Sequence, residues 1–402
     1  MTPAHSRTRN DRAVSTRVVD AQVQARKSLG LSLAFVIGAG FLALTYQDGP
    51  WLPLHLLFAG GLLLAISGAS QLFAAAWSAA PAPSGRVAWI QRWTLTCGVV
   101  MGATGHEVEE LKALLYAGAA LVAGAAALLA WVLVLTASRG RLRRFDPAIR
   151  FYATGLALGV AGIGIAPLAP SADGRIRTAH ALLNLLGLVG LVIAGTLPFF
   201  VATEARVKIS PRATPTRQAI LLVVMAASVS ACVVSILMGW QLPAALGLFV
   251  YGAGILGELL ILPRVRQKQL KWAGPRLLQL GAGILWWSGS VLFAGTVVLG
   301  GGEPFGGRSV IVLAVGGFLQ ILLGSLAYLG PVLRGGGHVR LAEGFSITRS
   351  WESLVAVNLA TLALLANHWT VAGIAIGIAL GATAWRSYRL LKPTELEGVG
   401  DG

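Results

Sequence analysis

Six histidines are the side chains of this chain best suited to chemistry, and four of them gather on one side of it. His55, His106, His180 and His368 come from four separate segments, yet each stands at the same end of an apolar run. His55 lies one turn into its run and His180 less than a turn into another. His106 follows a third in Gly105-His106-Glu107, and His368 closes a fourth in Asn367-His368-Trp369. His5 and His338 fall on the opposite side. Neutral imidazole is the usual protein ligand of copper and haem iron, and an ionisable group inside an apolar run is costly enough to suggest a function by default. His55 and His180 are therefore the leading candidates for metal or cofactor ligands, with His106 and His368 as outlying ones. Asn184 follows His180 by four residues and so shares its helix face. Its amide is placed either to hydrogen-bond the imidazole and fix its tautomer or to tie two helices together.

Ordinary roles compete at each position. His368 beside Trp369 reads as an interfacial residue, and His106 beside Glu107, Glu109 and Glu110 as a solvated loop residue. Glu258 sits near the end of its run, where a carboxylate reaches the interface. Gln320 and Asn358 suit interhelical hydrogen bonds, and Arg92 is close enough to a run end to snorkel. Cys97 and Cys232 form no CxxC, so neither a disulfide framework nor a thiolate zinc site is indicated. No nucleotide-binding motif, HExxH, serine elbow or CxxCH is present. No acidic residue falls at the middle of a run, where an ion-coupled carrier usually keeps one.

The elements that must position these residues follow from hydropathy and charge together. Apolar runs cover roughly 29–46, 51–77, 87–104, 112–137, 150–169, 178–203, 218–239, 242–262, 275–299, 309–333, 350–368 and 370–391. Each reaches or nearly reaches the ~20 residues that cross ~30 Å of hydrocarbon, and unpaired backbone is excluded from lipid, so the runs are helices. Of the 32 Lys and Arg, only Lys112, Arg175, Arg177 and Arg308 lie on connections at the histidine side; the rest fall on alternate connections and both tails. Basic segments are poorly translocated, which makes their side cytoplasmic. The sequence thus predicts an all-α polytopic membrane bundle of twelve transmembrane helices, with both termini cytoplasmic, in the cell's inner (cytoplasmic) membrane. It divides into a disordered basic tail over 1–28, a twelve-helix domain over 29–392 and a short tail over 393–402.

Composition agrees. Apolar residues make up 55% of the chain and charged residues 12%, about half the charge of a soluble domain. The net charge of +16 caps helices on one face, where its partner is the anionic leaflet of the lipid bilayer rather than nucleic acid. The polar N-terminal stretch and the length of the first run leave no cleavable signal peptide apparent. Trp51, Trp77, Trp240, Trp272, Trp351, Trp369 and Trp385 mark run ends as an aromatic belt. The second, sixth and tenth runs resemble one another: HLLFAGGLLLAISGASQLFAAAW, HALLNLLGLVGLVIAGTLPFF and GFLQILLGSLAYLGPVL. A spacing of four helices suggests an ancient repeat of four-span units.

The same three segments carry a resemblance. HLLFAGG after Trp51, HALLNLLGLVGLVIAGTLPFF followed by Glu204 to Lys208, and LLGSLAYLGPVLRGGG are similar to segments of bacterial twelve-span proteins, the membrane modules attached to copper nitrite reductase or multicopper oxidase domains. In layout the chain also resembles subunit I of the haem–copper oxidases and the NnrS family. By topology the resemblance covers most of the chain, by motif only these segments. It implies haem b or copper as cofactor, with His55 and His180 on the helices that carry a haem and a copper ligand. It also implies electron transfer or nitric-oxide-related chemistry, and an extracytoplasmic cupredoxin-type or other redox partner. The tenth run lacks the family's haem histidines, the seventh its paired copper histidines and the sixth its tyrosine motif. Oxygen reduction is therefore not implied. Two other readings stand beside this one: a carrier of a small apolar or amphipathic solute, and a structural subunit without a metal.

Overall fold

Apolar runs that can pair their backbone only with themselves fold as helices, and the computed structural model of this chain is all helical, with no strand among the described residues. It describes residues 9–171, 174–335 and 337–392; His5 and the tail over 393–402 lie outside them. Twelve long helices follow in order: α1 (Arg9–Thr45), α2 (Trp51–Trp77), α3 (Gly85–Glu107), α4 (Lys112–Ser138), α5 (Asp146–Ile165), α6 (Arg175–Glu204), α7 (Pro215–Met238), α8 (Gln241–Ile261), α9 (Pro275–Leu299), α10 (Arg308–Arg334), α11 (Trp351–Leu365) and α12 (Trp369–Leu391). Short helices at Gln267–Ala273 and Gly337–Ile347 lie in the connections at the basic end. Local signals set many of the ends. Ser84, Thr214 and Ser350 cap α3, α7 and α11 through their hydroxyls. Gly239, at φ 77°, closes α7 in the left-handed conformation that favours glycine.

Ten of these helices are long and apolar enough to cross a membrane. The other two fall short for different reasons. α11 has 15 residues, about 22 Å at ~1.5 Å per residue. α3 is long enough but carries Arg86, Gln91, Arg92 and Glu107.

The helices repeat in groups of four. In each group the first packs along the second (α1 on α2, α5 on α6, α9 on α10), and the third and fourth form a hairpin. α4 leads onto α5, α8 onto α9, and α12 packs back against α1, where Leu380 lies over Gly40 and Leu44 over Gly373. This closes the ring. The second helix of each group is innermost: α2, α6 and α10 bury 61%, 89% and 72% of their most apolar stretches, against at most 56% for the other seven of the ten. All three are interrupted by a π-helical segment, at Leu56–Leu62, Leu183–Gly190 and Leu313–Leu319. These are the runs that resemble one another in sequence. Glycine lets the neighbouring helix approach the widened turn. A Cβ on Gly61 would stand 2.7 Å from Val36 Cγ2, and one on Gly187 2.9 Å from Leu158 Cβ. Neighbouring helices also supply donors to the widened turns: Ser32 Oγ donates to the Gly61 carbonyl at 2.7 Å and Tyr251 Oη to the Leu186 carbonyl at 2.6 Å.

Several expectations change here. The stretch read as a disordered tail is helical from Arg9 onward. Ala21, Ala25 and Leu29 continue the apolar stripe of α1 at helical spacing, and all three are buried. Arg92 does not snorkel but is buried, donating to Gln24 Oε1 on α1 at 3.2 Å. Glu258 does not reach the interface; it is fully buried, and neither carboxyl oxygen has a hydrogen-bond partner. Gln320 is also buried with its amide unpartnered, whereas Asn358 does join helices, accepting from Trp286 Nε1 at 2.9 Å.

Candidate functional site

α2 and α6 start at the same end of the bundle, run side by side through its centre, and carry their histidines just ahead of their π segments. His55 immediately precedes Leu56, and His180 stands three residues before Leu183. The two imidazoles thereby meet, with ring centres 6.1 Å apart and planes 13° from parallel. Both rings are half-buried. The Nδ1 atom of His55 lies 2.8 Å from the Trp51 carbonyl one turn back, and that of His180 lies 2.8 Å from the Gly162 carbonyl on α5. A carbonyl only accepts, so each Nδ1 carries the proton and donates it, leaving the Nε2 lone pair free. Gly162 makes this possible, since a Cβ there would stand 2.8 Å from Leu183 Cβ.

Asn184 plays neither of its two candidate roles. Its Nδ2 donates to the backbone carbonyl of His180 at 2.9 Å and stands 3.4 Å from Nδ1. With Nδ1 already protonated toward Gly162, the longer approach is not a hydrogen bond. The tautomer is fixed by a backbone carbonyl of α5, and Asn184 steadies the turn that carries the ring.

His106, at the end of α3, is exposed and reaches the pair indirectly. It stacks on Trp51 with centres 3.4 Å apart, and Trp51 stacks on His55 at 3.9 Å. Four near-parallel rings thus run from His106 through Trp51 and His55 to His180. His106 Nδ1 is 2.9 Å from Glu107 Oε1, and the Tyr46 hydroxyl donates to the other carboxyl oxygen, tying the ends of α1 and α3 together. Burial raises the Glu107 carboxyl, but the hydrogen bonds from Tyr46 and His106 outweigh it and hold the group below its ordinary value. The same bond to Glu107 pushes the Tyr46 phenol up to about 12. Read as a belt residue, Trp51 gave no hint of this role; its i, i+4 spacing to His55 was the available signal.

His368 is not brought to the site. It is exposed on the turn between α11 and α12, with its backbone amide donating to the Ala363 carbonyl at 2.8 Å. That hairpin sits on the outside of the ring, so the four histidines do not assemble. Among the described residues no three His, Cys, Asp or Glu side chains are grouped to hold a metal ion.

What remains is one pair of imidazoles, those of His55 and His180. Neither Nε2 makes a hydrogen bond among the described residues. Imidazole donors suit copper and iron. A cavity lies deeper among the inner helices, and neither histidine lines it. The sequence matches no described protein family and no curated protein.

Proposed function

We propose that this protein crosses the cytoplasmic membrane twelve times, with its basic end and both termini in the cytoplasm, and holds one copper or haem-iron centre between His55 and His180 near the outer face. The observation that carries the reading is the facing pair of imidazoles, each with Nδ1 committed to a carbonyl and Nε2 free. When bound, such a centre supplies one-electron redox chemistry. The chain's own part is to orient the ligands through Trp51 and Gly162, to steady His180 through Asn184, and to screen the pair with the stacked rings of Trp51 and His106. α3 and α11 count as spans because each forms a hairpin with a long apolar helix, and because their connections keep the alternation of basic and non-basic loops. Short loops at the histidine end leave the site close to the surface, where a soluble cupredoxin-type or other redox protein would exchange electrons with it.

The test is a reduced-minus-oxidised visible spectrum with metal analysis on protein produced with haem and copper supplied. Wild type is expected to carry about one metal per chain. His55→Ala and His180→Ala each lose it, while His368→Ala keeps it. A colourless, copper-free wild-type protein refutes the proposal.

A further inference from the structure

Beyond the histidine pair, toward the basic end, the three inner helices part around a cavity of about 90 Å³. Its wall is built on the repeat: α2, α6 and α10 supply most of it, and α1, α5 and α9 add one side chain each, Leu29, Tyr152 and Leu280. The lining is apolar apart from Tyr152 and three hydroxyls, Ser70, Thr196 and Ser325, one from each inner helix. These stand at similar depth, twelve to fourteen residues after the start of each π segment. Their commitments differ. Thr196 donates to the Val192 carbonyl at 2.6 Å and accepts from Tyr152 at 2.7 Å, so both of those hydroxyls are engaged. Ser70 makes one long bond of 3.5 Å to the Ser67 carbonyl. Ser325 makes no hydrogen bond within the described residues.

We infer that this cavity on the axis of the inner helices is a binding site for a small uncharged molecule, apolar except for one hydrogen-bonding atom, of which a short-chain alcohol is the type. No charged side chain lines the cavity, so an ion entering it would lose its hydration without compensation. A well-held water needs two to four polar partners, and Ser325 with the weakly engaged Ser70 offers fewer strong ones. An apolar cavity of about 150 Å³ takes benzene, so the present one suits a molecule of roughly three to five heavy atoms. The ligand's apolar body lies against residues such as Ala69, Ile66 and Leu322, and its single polar atom against Ser325. The site is separate from the proposed metal centre and does not depend on it.

The experiment is photolabelling of the purified protein with a diazirine-bearing ethanol, with a diazirine-bearing alkane of the same size alongside, and the products mapped by mass spectrometry. Saturable labelling of cavity residues on α2, α6 and α10 is expected. Ala69→Phe, which fills the space, should lower incorporation of both probes by about tenfold, equivalent to ~1.4 kcal/mol. Ser325→Ala, which hardly changes shape, should lower alcohol labelling several-fold and leave alkane labelling unchanged. The inference is overturned if wild-type labelling does not saturate, or if it falls only on lipid-facing positions such as Leu260 and Leu285 (67% and 63% exposed). It is also overturned if Ser325→Ala treats the two probes alike. Ser325→Ala decides the matter even if Ala69→Phe does not fold.

Discussion

Tyr251→Phe isolates one hydrogen bond on which the widened turn of α6 rests. The Tyr251 side chain is fully buried, and its hydroxyl donates across to the Leu186 carbonyl at 2.6 Å. Phenylalanine keeps the ring and its contact with Trp287 and removes only the donor. Leaving a buried acceptor unpartnered costs about 1–3 kcal/mol in soluble proteins. Interhelical hydrogen bonds in membranes average ~0.6 and reach ~1.7 kcal/mol. Complete burial and a short bond place this one near the upper membrane value, about 1.5 kcal/mol, or roughly tenfold in the unfolding equilibrium. The geometry also predicts a coupling. The hydroxyl sits where a Cβ on Gly190 would go, and Trp287 Cζ2 is 2.9 Å from that point. Gly190→Ala should therefore destabilise the wild type through overpacking, by ~1–3 kcal/mol, and should cost less in Tyr251→Phe, where the hydroxyl has left. The assay is reversible unfolding in mixed micelles for the wild type, both single variants and the double variant. A coupling of roughly 1 kcal/mol in the compensating direction is expected. If Tyr251→Phe matches the wild type within error and the two changes simply add, the Tyr251 hydroxyl does not support the widened turn of α6.

Two further outcomes test the site. Asn184→Leu removes the bond to the His180 backbone while leaving both candidate ligands in place, so metal affinity should fall by about ten- to a hundredfold, as for other residues that orient a ligand; equilibrium metal titration reads this, and unchanged affinity would show that Asn184 is not needed to hold the ring. The carboxyl of Glu107 is held below its ordinary value in the folded protein, so it contributes stability that is fully present above 4.5 and is lost as pH falls through the folded value. Glu107→Gln should flatten that acid limb in melting temperature against pH, and an unaltered limb would assign the acid loss to other carboxylates.

Much of the architecture is a local property of the chain. Long apolar runs can satisfy their backbone in lipid only as helices, so ten of the runs are visible before any packing is known, and the alternation of Lys and Arg fixes which ends lie together. The likeness of the second, sixth and tenth runs likewise marks α2, α6 and α10 as equivalent. Where polarity dilutes a run, as Arg92 and Gln91 do in α3, or where the helix is short, as in α11, composition alone does not establish a span. The start of α1 is not legible in the same way, because a polar and basic stretch hides the Ala21, Ala25 and Leu29 stripe that α2 covers.

The site divides the same way. Histidine at the head of α2 and of α6 is legible, because both helices begin at one end. Which imidazoles meet is not, because that depends on which helices sit at the centre of the ring. Packing brings His180 to His55 across 125 positions of chain, places the Gly162 carbonyl against Nδ1, lays Trp51 between His106 and His55, and leaves His368 on an outer hairpin. Sequence sets each helix and its direction because backbone hydrogen bonding is satisfied within it. Contacts between helices are settled only when apolar faces and glycine surfaces find their mutual fit, and the meeting of His55 with His180 is one of those contacts.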